Sequence, residues 1–357
     1  MKKINTTLLI ITLWGLGGYA FSQGCIAVRH MSCATGNINN PSSMMKGGQF
    51  QLTVGYRNLH SYKHFVGKVE QQERVEKGTQ VINDSHNFDF GLSYSVNSQL
   101  SFSLNMPYSN NDRSSLYEHY GNSIETNPTQ ARFHTYSKGV GDARLSVTYW
   151  LLDPMTHPKG SIAIGAGIKA PTGDFNVQDN FYKLDKSGKE YIQRKAVDQS
   201  MQLGDGGWGY SVEVQGYKSL FKNASAYFNG FYLFSPKGIN TENNLSVPDQ
   251  FAGRAGVSYA LMPKKGISVT LGGRIEGLPA IDIIGKSEGS RRPGYIISVE
   301  PGITWSDVHH TLSLNVPYAL VRNRIKSWSD RQDPAGLRHG DAAFADYLVS
   351  ATYAYRF

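Results

Sequence analysis

The chain has 357 residues, with 36 Lys and Arg against 28 Asp and Glu for a formal net charge of +8, and a mean hydropathy of −0.37. Past the leader it contains no run of about 20 apolar residues, which excludes a spanning helix, and no basic block with interleaved aromatics, which speaks against nucleic acid as a partner. A polar average combined with 38 Gly, 21 Tyr and two Cys is how a membrane β-barrel scores, because every second residue of its wall faces water.

The first segment, residues 1–22, reads as a secretory signal. Lys2 and Lys3 supply the charge, residues 8–18 (LLIITLWGLGG) the apolar run, and Ala20-Phe21-Ser22 the small-x-small cleavage site before Gln23. The run is too short to cross a bilayer as a helix. Subtracting the two leader lysines from +8 leaves +6, a modest excess for this length. A lipid-modified Cys25 is the competing reading, for which Ser22-Gln23-Gly24 is a poor signal. Residues 23–49 then read as a polar periplasmic lead-in, with NINNPSS at 37–43. Within it CIAVRHMSC (25–33) holds both cysteines. In an oxidising compartment Cys25 and Cys33 are expected to form a disulfide. His30 and Met31 lie between the two thiols, but no full ligand set with known spacing is present, so neither metal nor cofactor is expected.

From residue 50 onward the apolar residues alternate with polar ones, the period of a β-strand with one greasy face. Alternating segments fall at 50–56, 88–96, 100–108, 145–151, 162–168, 210–216, 224–234, 251–261, 267–275, 295–303, 312–320 and 347–357. These are about twelve strands, several of the roughly 9–11 residues that cross a bilayer when tilted. The connections between them alternate strictly in length. Short ones lie at 96–99, 153–160, 220–223, 262–265 and 305–310; long ones at 58–86, 109–141, 170–208, 235–250, 277–292 and 322–343. Sorting by parity is what an antiparallel barrel does, with one rim for odd connections and the other for even ones. The fold class expected is therefore all-β: a closed antiparallel transmembrane β-barrel of about twelve strands over residues 50–357, with short periplasmic turns and long extracellular loops in the bacterial outer membrane. The last segment, DYLVSATYAYRF (346–357), closes against the first because lipid leaves no free sheet edge satisfied. Its terminal Phe357 resembles the signal that barrel-assembly machinery reads, and outer-membrane lipid and lipopolysaccharide are the expected surroundings. Tyr56, Tyr108, Tyr149, Trp150, Trp208, Tyr210, Tyr259, Trp305 and Tyr318 fall near strand ends, where aromatic girdles lie.

Motifs with a chemical flavour resolve mostly into turns. GDGGWG (204–209) has no Lys after its glycines and is followed by a strand, so it lacks what a phosphate loop needs; it reads as a turn where the third long loop rejoins the wall. The inward faces are richer. They carry Arg57, Asp89, Arg144, Lys169, Glu213, Arg254, Arg274, Glu276, Glu300 and Arg356, either a paired network filling a narrow lumen or a lining that orients a ligand. One strand departs from the polar-inside rule: Tyr227, Phe231 and Leu233 point inward, an apolar strip suited to a poorly soluble guest. The substrate or lumen residues expected from the pattern are thus Tyr227, Phe231, Leu233, Arg254, Arg274, Glu276, Arg144 and Glu213. A lipid-modifying enzyme would need a Ser beside a His on the outer wall. His309 and His310 precede Ser313 but sit in a short turn, and no catalytic residue is assigned.

The stretches VGYRNLHSYKHFVG (54–67), GVGDARLSVTYWLLDP (139–154), GIKAPTGDF (167–175), DQSMQLGDGGWG (198–209) and the last strand resemble the outer-membrane barrel family labelled meta-pathway (MetA) of phenol degradation. The resemblance runs over most of residues 50–357 and implies a barrel that passes or binds hydrophobic compounds, with no catalytic residues to carry over. The expected function is passive uptake of a small hydrophobic or aromatic solute; the alternatives are a structural or plugged barrel, or an outer-membrane lipid-modifying enzyme.

Overall fold

The computed structural model describes residues 44–357. The expected leader, most of the lead-in, and Cys25 and Cys33 lie outside the described residues. In chain order the strands are β1 (Phe50–Ser61), β2 (Lys63–Val66), β3 (Val69–Glu70), β4 (Ile82–Ser95), β5 (Leu100–Ser115), β6 (Phe133–Val140) and β7 (Arg144–Trp150). There follow β8 (Gly160–Lys169), β9 (Gln178–Leu184), β10 (Glu190–Ala196), β11 (Gly209–Phe221), β12 (Ala224–Phe234) and β13 (Gln250–Met262). The series ends with β14 (Ile267–Leu278), β15 (Gly294–Ser306), β16 (His310–Asn315), β17 (Tyr318–Arg324), β18 (Ala342–Phe344) and β19 (Val349–Arg356).

The wall is a closed antiparallel barrel of 12 strand positions. β6 and β7 share one position against β5, and β16 and β17 share another against β15. The seam joins the first and last wall strands. β1 pairs with β19 from Gln51↔Arg356 to Asn58↔Val349. The Phe50 amide donates to the Phe357 carbonyl (2.9 Å) and the Phe357 amide to that of Phe50 (3.0 Å), while their rings stack at 5.8 Å.

Residue polarity is inverted relative to a water-soluble sheet. Leu52, Phe90, Leu104, Leu145, Ile164, Val212, Leu271, Ile303 and Leu314 are exposed on the outer face, while Gln51, Ser93, Asn105, Thr148, Gln215, Glu276 and Glu300 are buried inside. A continuous exposed apolar belt of this extent is stable only against lipid, and a closed barrel is the form of sheet that leaves no backbone group unpaired there.

All twelve alternating segments are wall strands, and three local expectations are revised. β5 and β6 continue through much of 109–141, a region expected as loop. Their outward residues there are mostly polar (Asn110, Asp112, His134, Lys138), with Tyr136 and Val140 as exceptions, so period-two hydrophobicity fades although pairing does not. His134 stitches that extension to Asp112 at 2.7 Å, as Tyr56 joins β1 to His86 of β4 at 2.8 Å. The strand expected at 312–320 is interrupted between β16 and β17 at Val316-Pro317, since Pro317 has no amide to give the ladder. Trp150, expected in the outer girdle, instead faces the lumen against Tyr217 (5.8 Å, edge-on). Alternation forces this, because Tyr149 beside it points outward.

The long connections fold over one mouth. β2 pairs with β18, so the first and last long loops form one small sheet with β3. Phe65 and Phe344 from that sheet pack with Ile296 and Ala319 of the wall. At the opposite rim Arg356, 1% exposed, is buried against the neighbouring strands. It donates to the carbonyls of Val308 (3.2 Å) and Asp307 (3.1 Å), to Thr311 Oγ1 (3.1 Å) and to Gln51 Oε1 (3.4 Å). Arg356→Ala leaves these acceptors without their donor at the seam and is expected to cost about 2–4 kcal/mol. The temperature at which the compact, heat-modifiable gel band disappears should fall; an unchanged temperature would show that Arg356 does not hold the seam.

Candidate functional site

A cavity of ≈ 180 Å³ lies inside the barrel near the long-loop mouth. Its walls come from β1, β4, β5, β7, β8 and β12 through residues such as Leu59, Asn87, Asn105, Arg144, Lys169 and Leu233. Its cover is the segment 199–205, the end of the third long loop, which dips into the lumen instead of staying outside.

The cover is held at both ends. At one end Asp198 caps a single 3-10 turn (Gln199–Met201) by accepting from the Ser200 amide. Its carboxylate takes a two-pronged contact from Arg292 (2.6 and 2.5 Å) and lies 3.4 Å from Arg113 Nη2. Arg113 belongs to β5 and Arg292 to the loop before β15, so Asp198 ties opposite parts of the wall through one anion. Burial alone would raise the Asp198 pKa, but the Arg113 and Arg292 guanidiniums hold it far below the ordinary carboxylate range.

At the other end three of the motifs that carry the family resemblance converge. Asp142, in the break between β6 and β7, accepts from the amides of Gly173 (3.0 Å) and Asp205 (3.2 Å) and from Lys169 Nζ (3.2 Å). Thr172 Oγ1 accepts from the Ala143 amide (2.8 Å) and donates to the Gly141 carbonyl (2.9 Å). Gly204 packs directly on the Gly173 backbone and Asp142, where any Cβ would collide. GVGDA, K-x-PTGD and LGDGG are therefore one hinge that fastens the cover to the wall. Met201 and Leu203, buried beneath it, are the anchors.

Of the residues expected to face the lumen, Leu233 and Arg144 line the cavity. Phe231 is one register step deeper, opposite Glu213, with the Arg144 guanidinium 5.0 Å above its ring. Tyr227 lies further toward the short turns, paired with Tyr217. Arg254, Arg274 and Glu276 form a separate network with Glu300. Arg274 contacts Glu276 at 2.8 Å and Glu300 at 3.2 Å, and Arg254 contacts Glu300 at 3.3 Å. Glu276 and Glu300 are each 1% exposed, so paired charge rather than a wide water column fills the lumen at that depth. Sequence reasoning missed Asp198, Arg113, Arg292 and the cover, all set by loop placement. Met201 and Leu203, two apolar side chains two residues apart in a polar loop, were the available signal.

The Ser and His residues weighed for catalysis are not brought together. Ser313 meets Thr304 inside the barrel (3.1 Å), whereas His310 meets Tyr353 on the outer face (2.7 Å). Among the described residues no group of three or more His, Cys, Asp or Glu is placed to hold a metal.

Two histidines make the outer loops sensitive to acid. His64 Nε2 accepts from the Val81 amide (2.9 Å), while Nδ1 faces Asp341 (2.7 Å). Burial lowers its pKa; Asp341, despite burial, is held to about 2 by His64 and Arg74. His119 Nδ1 accepts from the Tyr182 amide (3.1 Å), and burial pushes its pKa down to about 4. Both rings must stay neutral to accept these bonds. Below the ordinary histidine value of about 6.5 the open loops bind protons that the closed loops refuse, so closure weakens as pH falls from there toward 4. Hydrogen exchange in residues 62–81 and 178–184, corrected for intrinsic rates, should be faster at pH 4.5 than at pH 7.5. Equal protection would contradict the assignment.

No family model and no curated protein sequence matches the chain. Solved structures do. An outer membrane channel from Pseudomonas putida F1 is 12% identical, with a TM-score of 0.56 over 88% of this chain and 97% of that one. The monoaromatic hydrocarbon channel CymD (11% identity, TM-score 0.46, 94% and 97% covered) and the P. putida toluene transporter TodX (11%, 0.43, 96% and 99%) are more distant. At these identities the likeness is one of fold. That fold is the closed barrel of an outer-membrane channel, and its exposed apolar belt places it in a lipid bilayer.

Proposed function

We propose that the chain is a bacterial outer-membrane channel for passive uptake of small hydrophobic or aromatic solutes, with the lumen cavity as the stage where the solute leaves water. The observation that carries this reading is the cavity itself: ≈ 180 Å³, with Leu59, Met201, Leu203, Leu233 and Leu278 among its lining. An engineered apolar cavity of about 150 Å³ is enough to hold benzene. Burial there stabilises an apolar guest by about 25 cal/mol per Å² removed from water. The resemblance to the family labelled for the meta-pathway of phenol degradation supports an aromatic guest, since its motifs build the hinge of this cavity. Lipid and lipopolysaccharide against the apolar belt, and the barrel-assembly machinery at the strand ending in Phe357, complete the proposed partners.

Leu233 is the test position because it lines the cavity itself, whereas Phe231 lies one register step deeper beneath Arg144. Leu233→Asp should lower uptake of toluene about tenfold, the scale of losing one buried aliphatic side chain. The assay uses vesicles with a lipopolysaccharide outer leaflet, which apolar solutes cross slowly without a channel, and checks assembly by gel mobility. Equal uptake by variant and parent would leave a plugged scaffold as the better reading.

A further inference from the structure

The cavity is not lined as a container for a pure hydrocarbon. Its lining includes four cations (Arg57, Arg144, Lys169 and Arg292) against two carboxylates (Asp142 and Asp205). Lys169 is engaged by both carboxylates, Arg292 is engaged by Asp198, and Arg57 also holds a contact of its own. Arg144 differs. It is 8% exposed, its guanidinium lies on the Phe231 face at 5.0 Å, and its buried Nη2 donates no hydrogen bond. A guanidinium nitrogen buried without an acceptor is costly. The stacking fixes the plane of the group beside the cavity, and although Glu213, Asp89, Asp205 and Asp142 act on it through space, none hydrogen-bonds that nitrogen. A planar fork of donors matches a carboxylate, which takes two of its hydrogen bonds at once.

Resting on the uptake reading above, we infer that the cavity selects small aromatic carboxylates, with Arg144 binding the carboxylate and the Leu233 side of the chamber receiving the ring. Phe231 is then a positioning residue, since it orients the guanidinium without touching the anion. The register places this pair well. Arg144 is the first residue of β7, directly after the hinge at Asp142, so the recognising side chain and the anchored cover share one turn of backbone. A guest held at Arg144 therefore sits beneath the segment that closes the chamber.

The test compares 4-methylbenzoate with p-xylene, which differ by a carboxylate in place of one methyl, as ligands of the purified full-length barrel by calorimetry at pH 7.5. The parent is expected to bind 4-methylbenzoate at least about tenfold more tightly than p-xylene, the scale of one charge-assisted contact. Arg144→Met should remove that preference, so that the roughly tenfold advantage of 4-methylbenzoate over p-xylene disappears, and Arg144→Lys should restore part of it. Equal weakening of both ligands in Arg144→Met would make Arg144 a packing residue and overturn the inference. Binding of p-xylene with no preference for the carboxylate in the parent would overturn it while leaving the uptake of apolar solutes standing. That comparison needs no variant, so it decides even if a substitution prevents assembly. Binding of neither ligand would overturn the inference and the uptake reading together.

Discussion

Everything in this molecule depends on a wall in which no backbone amide or carbonyl is left facing lipid. Each unpaired group in hydrocarbon costs several kcal/mol, so the sheet must return to its own first strand. That requirement makes β19 antiparallel to β1, brings Phe357 onto Phe50, and puts the buried Arg356 at the seam. It also fixes what the lumen can be. With alternate residues committed to lipid, the remaining half from twelve strands converge on a narrow interior, where polar and charged groups must satisfy one another. The Arg254–Glu300–Arg274–Glu276 network is the result.

Against this wall the long loops add a second layer. The third connection turns inward, carrying its own apolar anchors and one carboxylate that two arginines from opposite walls neutralise. An inward loop must satisfy its backbone away from bulk water. Asp142, Thr172 and the two close-packed glycines do this at one end, and Asp198 at the other. The strand break at residues 141–143 serves the same end, because a continuous strand there would have used those groups in the ladder.

Cover and chamber are thus one construction with two kinds of fastening. Fixed charge and backbone hydrogen bonds hold the segment directly over the cavity. Neutral histidines hold the outer loops, where His64 and His119 each accept a backbone amide. At the Asp198 end the first kind tolerates acid, since arginine stays charged and Asp198 titrates far below neutrality, whereas burial raises the Asp142 pKa at the other end. The second kind does not tolerate it. The outer layer can loosen while the inner segment stays fastened at Asp198, so the two layers need not open together.

The barrel was legible in the sequence because lipid imposes a pattern with period two on every wall strand, and parity imposes a second pattern on connection lengths. Both are local in sequence and survive without knowledge of contacts. The pattern failed where lipid stops: the mostly polar upper reaches of β5 and β6 pair as well as the belt does but carry little hydrophobic alternation. It also gave the inward direction of Tyr227, Phe231, Leu233 and Arg144, since alternation decides that too. What alternation could not give is distance across the lumen. That Arg144 lies over Phe231 three wall positions away, that Asp198 meets Arg113 and Arg292, and that three separate glycine motifs form one hinge are consequences of closure. They join residues far apart in the chain through space that exists only once the sheet has curled onto itself.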